Sequence, residues 1–150
     1  MNVVVREARR DDAPAIVALI AALAEFESLP GPDADAAARL VDHGFGAWPH
    51  FESLVADDGG VIVAYAIFFT TYSTFRMRPT LFLEDIFVHP DVRRRGIATM
   101  IMERLRALAV ERGCGRFEWM VLDWNAGAQA LYAKLGATQL HDWRLCRVDL

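Results

Sequence analysis

Long apolar runs, cysteines and net positive charge are all scarce in this sequence, and each shortage removes a class of function. The longest uninterrupted hydrophobic stretch, Val61 to Phe69, has nine residues, roughly half of the ~20 that cross a bilayer as a helix. The amino terminus, MNVVVREARRDDAP, reaches Arg6 and Glu7 after a few apolar residues, so no signal peptide fits. The two cysteines, Cys114 and Cys146, stand in neither CxxC spacing nor a disulfide-rich context, which predicts a reduced, cytoplasmic protein. A net charge of −4 argues against bulk affinity for nucleic acid or an anionic membrane surface. No GxxxxGK[ST] string exists, and a single glycine stands where a dinucleotide fingerprint needs three, so both nucleotide loops are out. His43, His50, His89 and His141 share no ligand spacing with the acids, and no metal is expected.

What is present is the composition of one globular domain spanning residues 1–150: 54% hydrophobic and 24% charged, without repeats or a separating linker. The charge is uneven. Residues 76–116 hold nine arginines against five acids, while the rest of the chain is strongly acidic. An acidic protein with one basic stretch suits a small anion better than a polyanion. Arg104, Arg106 and Arg112 read as helix-face cations, solvated or paired with Glu103 and Glu111.

Periodicity predicts the order β-α-α-β-β-β-α-β-α-β, a mixed α/β domain. Residues 2–8 are β-branched and form a first strand. Asp11 or Asp12 caps a helix with Pro14 in its first turn and Ile16, Leu19, Ile20, Leu23 and Phe26 on one stripe. A second helix covers Asp33 to Val41, closed by DHGFG. Strands 51–57 and 61–72 flank a turn at Asp57-Asp58-Gly59-Gly60. A buried strand runs from Thr80 to His89, a helix from Ile97 to Arg112, and a strand from Arg116 to Leu122 that should pair in parallel with Thr80 to His89. Asn125 caps a short helix to Leu135, and a last strand covers Thr138 to Val148.

The most informative stretch is FLEDIFVHPDVRRRGIATMIMERL. A strand ends at Val88, a proline turn follows, and Arg93-Arg94-Arg95-Gly96-Ile97-Ala98 opens a helix. Amides at a helix start lack intrahelical acceptors and sit at the positive end of the dipole. Gly96 admits a ligand close to the main chain, and nearby arginines add directional donors. The combination predicts a pyrophosphate cradle. A plain capped helix with solvated arginines accounts for RxxGxA equally well, and on these residues alone both stay open.

These motifs, taken in order, resemble the GCN5-related N-acetyltransferases, and within them the diamine (spermidine/spermine and thialysine) branch. The shared stretches are REARRDDAPAI, LAEFE, DHGFG, LEDIFV, RRRGIA, LDWN, ALYAKLGA and WRL. The resemblance implies an acetyl-CoA-dependent amine N-acetyltransferase with a central twisted sheet flanked by helices, working as a homodimer without nucleic acid or membrane partners. It implies that Arg93, Arg94, Arg95, Gly96, Ile97, Ala98 and Thr99 cradle the CoA pyrophosphate. Ile86, Phe87 and Val88 would pair their main chain with the pantetheine arm, and Asn125 would touch the cofactor. Tyr132 matches the general acid for the departing thiolate. Glu84 matches the residue that binds the amine and helps deprotonate it, with Glu27 and Asp85 as further substrate-binding acids.

Chemically these roles cohere. An alkylamine is mostly protonated at pH 7, and a carboxylate can attract the cation and then accept or relay its proton. A phenol of pKa about 10 can protonate a thiolate. Direct attack needs no acyl-enzyme, in keeping with the lack of a convincing nucleophile. Tyr132 also lies on an apolar stripe with Ala128, Leu131 and Leu135, where a half-buried tyrosine with a wet hydroxyl is the commoner meaning. Glu84 and Asp85 are adjacent on a strand and point to opposite faces unless a bulge intervenes, so at most one faces the amine, and Glu84 is the choice. The acidic loop after the first helix is here ESLPGPDADAAA, Ser73 and Phe75 replace an acid and a tryptophan, and Leu140-His141-Asp142 is a shortened acidic loop. A long polycation would lose partners, which favours a thialysine-like amino acid or short diamine. The competing readings are a non-catalytic acyl-CoA-binding or sensor domain, an acetyltransferase for polyamines, aminoglycosides or peptide amines, and an interaction module built on Arg93 to Arg95.

Overall fold

A computed structural model describes residues 2–150. Residues up to Met120 and residues Val121–Leu150 form two compact units. The first holds β1 (Val3–Glu7), α1 (Ala13–Phe26), α2 (Ala34–Phe45), β2 (Glu52–Asp58), β3 (Val61–Ser73), β4 (Arg78–Val88), α3 (Ile97–Glu111) and β5 (Arg116–Trp119). The second holds α4 (Ala126–Lys134).

The strands form one mixed sheet in the order β1-β2-β3-β4-β5. The first three pairings are antiparallel, and β4 pairs with β5 in parallel as expected. The β2–β3 hairpin turns on Gly59 and Gly60, whose φ values of 64° and 97° suit a two-residue turn with both centres left-handed. Asp57 Oδ1 accepts from Gly60 N at 2.7 Å and fixes that turn.

Both faces of the sheet are covered. Ile16 and Leu19 of α1 pack on Val55, Tyr65, Ile67 and Phe87. On the opposite face the end of α3 brings Arg112 over the ring of Phe68 and into a pair with Glu52. Ile97, Ile101, Leu105 and Leu108 of α3 are buried, the stripe that periodicity picked out. Coverage on both sides is why β3 reads as a continuous apolar run rather than an alternating one. Burying a side chain such as Ile16 or Leu105 contributes about 1.5–3 kcal/mol.

Four sequence expectations are corrected. The acid before α1 does not cap it: Asp12 spends its carboxylate on Arg6, at 2.8 and 3.0 Å, and on Arg9 N, at 2.6 Å, after a short 3-10 turn at Arg10–Asp12. The second helix is capped by Asp33, which accepts from Ala36 N, but it runs through DHGF to Phe45. Helical hydrogen bonding outweighs the roughly 1 kcal/mol that an interior glycine costs. The β5 strand stops at Trp119 rather than Leu122. Residues 138–148 form no strand and are exposed throughout. Their alternation satisfies the side-chain pattern, but a strand also needs a partner's ladder, which local sequence cannot supply.

Candidate active site

The loop between β4 and α3 departs from ordinary backbone at two alternate residues. After a 3-10 turn at Pro90–Val92, Arg93 is extended, while Arg94 (φ 63°) and Gly96 (φ 78°) are left-handed. Gly96 takes this conformation freely; for Arg94 it costs on the order of 1–2 kcal/mol. Such a turn aims successive N–H groups at one concave spot. The first helical amide satisfied within α3 is that of Met100, bonded to Gly96 O at 2.9 Å, so the preceding amides have no carbonyl of their own helix. A Cβ built on Gly96 meets nothing within 4 Å, so the ground above it is open. Arg94 and Arg95 are exposed. The residues Arg94 to Thr99 therefore present the chemistry of an anion cradle.

Arg93 differs from its two neighbours. Its Nε donates to Val88 O at 3.1 Å, and its guanidinium carbon lies 5.4 Å from the ring centre of Phe26 and 5.3 Å from that of Phe87.

The β4 strand offers an edge. Its parallel ladder with β5 covers only Thr80 to Leu83. Beyond that, Ile86, Phe87 and Val88 pair with β3 on one side and with no strand of the described residues on the other. A ligand with amide groups in extended geometry could pair there.

A bulge shapes the acidic part of the site. Along the β3–β4 ladder Phe68 pairs with Leu83 and Ile67 with Asp85, so Glu84 is the extra residue. The insertion switches the alternation. Leu83 shares the face of Phe68, whereas Asp85 joins Tyr65, Ile67 and Phe87 on the face covered by α1. Glu84 is exposed and Asp85 half-buried. The hydroxyl of Tyr65 lies 3.5 Å from Asp85 Oδ2. Burial, then the neighbouring charges of Glu84 and Glu27, push the Asp85 carboxyl up to about 6. Burial, and then Asp85, push the Tyr65 phenol far above its ordinary value.

Glu27 reaches this cluster because α1 ends in a defined way. Ser28 is left-handed (φ 56°), Ser28 N bonds Glu25 O at 3.1 Å, and Leu29 N bonds Ala24 O at 2.8 Å. That is a Schellman closure, which holds half-buried Glu27 at the helix end. Three acids are thus electrostatically coupled, an arrangement that a cation relieves.

Asn125 and Tyr132 belong to the second unit and are described there. Asn125 Oδ1 accepts from Ala128 N at 3.2 Å and caps α4. Gln129 fastens the preceding turn by donating to the carbonyls of Leu122 and Asp123 at 3.1 and 2.9 Å. Tyr132 is half-buried on α4, and burial raises its phenol. Tyr65 was invisible to sequence reasoning as a site residue. Its only signal is one hydroxyl inside the apolar run 61–69. No group of His, Cys, Asp and Glu able to hold a metal occurs among the described residues, and no helix among them is long and apolar enough to cross a membrane.

Comparison with known proteins bears on this geometry. The model of the acetyltransferase (GNAT) family matches residues 16–137. The chain is 35% identical to the thialysine N-epsilon-acetyltransferase of Bos taurus over 158 residues, covering 98% of this chain and 92% of the relative. It is 36% identical to the L-ornithine N5-acetyltransferase NATA1 of Arabidopsis thaliana over 88 residues, covering 59% of this chain and 39% of that protein. In fold it is similar to a possible acetyltransferase from Clostridium difficile 630, with a TM-score of 0.86 at 20% identity, covering 100% of this chain and 99% of that one.

Proposed function

The chain belongs to the GNAT family of acetyl-CoA-dependent amine acetyltransferases, and from that premise we propose that it acetylates a primary amine of a small, cationic molecule by direct attack. The acceptor is a thialysine-like amino acid or a short diamine. The observation that carries this reading is the meeting of Glu27, Glu84 and Asp85 at the β3–β4 bulge, where burial first, and then the charges of Glu84 and Glu27, lift the Asp85 carboxyl to about 6. Both named relatives act on amines of basic amino acids, in keeping with a site that rewards positive charge.

Bound acetyl-CoA supplies an activated thioester carbonyl. The chain's residues do the rest. The amides of Arg94 to Thr99 hold the pyrophosphate, with Arg94 and Arg95 adding charge. The main chain of Ile86, Phe87 and Val88 orients the pantetheine arm, and Asn125 adds a contact. Glu84, exposed at the bulge, meets the ammonium with Glu27 and Asp85 behind it. The ammonium first gives one proton to a carboxylate or to water beside it, which frees the lone pair that attacks. A proton left on nitrogen then grows acidic as the C–N bond forms and passes to a carboxylate as the C–S bond breaks. Tyr132 protonates the leaving thiolate. Its raised phenol keeps that proton at neutral pH. On this reading residues 1–150 act as one domain, which a family match over residues 16–137 supports. A cytoplasmic homodimer completes the reading, and Cys114 and Cys146 are free thiols, as a reducing compartment would keep them.

The test is thiol release from acetyl-CoA against thialysine, lysine, ornithine, putrescine, spermidine, an aminoglycoside and a peptide amino terminus. The short basic amines should give the highest kcat/KM. CoA binding without turnover of any of them would favour a sensor domain, and a preference for spermidine would overturn the short-amine reading.

A further inference from the structure

The side chain of Arg93 is engaged away from the open ground above Gly96. From the loop that opens α3, one guanidinium touches two further segments: Phe26, the last residue of α1 and neighbour of Glu27, and Phe87 and Val88, which end β4. We propose that Arg93 is a positioning residue that fastens the end of α1 and the end of β4 to the cradle loop, coupling the acceptor side of the site to the donor side, rather than a ligand of the pyrophosphate. The proposal rests on the reading of Glu27 and the β4 edge given above.

The side-chain chemistry suits the task. A guanidinium is planar, so it can lie over aromatic rings and still donate in its plane to a carbonyl, which an ammonium cannot do in the same way. A cation at the end of α1 also meets the negative end of that helix's dipole. All three arginines are exposed, but only Arg93 is engaged by Val88 O and the two rings, which leaves Arg94 and Arg95 for the anion. A ligand held by the loop is thereby linked through Arg93 to Phe26, and so to Glu27.

The test uses the full chain with Arg93→Met. The amides of Glu27, Ser28 and Leu29, bonded to the carbonyls of Leu23, Glu25 and Ala24, should exchange with solvent about fivefold faster without any ligand, the factor one such contact is worth. Calorimetry should show CoA affinity within about twofold of the parent. The tightening of a diamine's binding by saturating CoA should be lost. Phe26→Leu, which removes a ring and no charge, should accelerate the same amides, and the double variant should add little further. Arg93→Lys should behave like Arg93→Met in exchange, which keeps the test open if the methionine variant misfolds. Unchanged exchange at these amides would overturn the proposal. So would a fall in CoA affinity of about tenfold or more with coupling intact, the mark of a lost phosphate contact. A parent protein that binds no CoA would sink the functional reading instead, and the exchange result would still decide the role of Arg93.

Discussion

A half-buried carboxyl beside two other acids costs free energy whenever it is charged, and Asp85 is such a group. Its folded pKa lies above the ordinary carboxylate value, at about 6. Between those two values the folded protein holds a proton that the unfolded chain has released. Stability therefore falls as pH rises through that window and stays lower above it. Asp85→Asn should raise stability at pH 7 by roughly 2 kcal/mol, with the gain vanishing near pH 4, as urea titrations at the two pH values would show. The same variant should lose the limb near pH 6 in the kcat/KM profile if Asp85 serves the amine. Tyr132→Phe should lower kcat by about a hundredfold or more while CoA affinity holds, measured by stopped assay and calorimetry. Unchanged turnover would remove Tyr132 from the chemistry. At this scale the acids and Tyr132 were legible only through the motifs around them. Tyr65 was not, because a tyrosine in an apolar strand looks like core until its hydroxyl is seen beside a carboxylate.

Elements decide which way those residues face. Adjacency of Glu84 and Asp85 posed the question of a bulge, but only the ladder to β3 could answer it, since a bulge is a mismatch between two strands and not a property of one. Deleting Glu84 should restore strict alternation with Leu83 still facing Phe68 and Asp85 still facing Ile67. The expected outcome is a denaturation midpoint close to the parent's with a several-fold higher KM for a cationic amine, since one carboxylate is lost and no charge is turned inward. The RRRGIA loop was legible because glycine and helix-start signals are local. That Arg94 as well as Gly96 would be left-handed was not. Gly96→Val should weaken CoA binding by more than about tenfold while the far-UV spectrum is kept, since a β-branched side chain is strained at φ 78° and projects into the open ground. Normal CoA affinity in that variant would remove the cradle from its proposed place. The helices that periodicity identified appear, with a buried stripe on α3 and on the first turns of α1, whereas the strand expected over 138–148 does not. Helical bonds are made within the segment, and strand bonds depend on a partner far along the chain.

At the scale of the molecule, the proposed reading sets the positive charge of Arg94 and Arg95 on the donor side and the negative charge of Glu27, Glu84 and Asp85 on the acceptor side of one small protein. Salt should therefore raise the KM of a cationic amine and of acetyl-CoA together, several-fold in all between about 0.01 and 1 M ionic strength, where the screening length shrinks from ~30 to ~3 Å. A change in only one of them would show that the two fields are not separate. The acetyltransferase family was legible from many weak motifs, because their order and spacing along the chain are together far more specific than any one of them. The beginning of the β4 strand is closed by β5, but its end from Ile86 to Val88 has no strand alongside. Apart from Val88 O, which Arg93 Nε already engages, that edge is a template for any extended chain, including a neighbouring molecule's own. On the proposed reading, a cosubstrate laid along it would act as a chaperone of sorts, shielding a sticky border while awaiting its amine. Freshly stripped protein should scatter light on warming at lower temperature and lower concentration than the same protein given CoA.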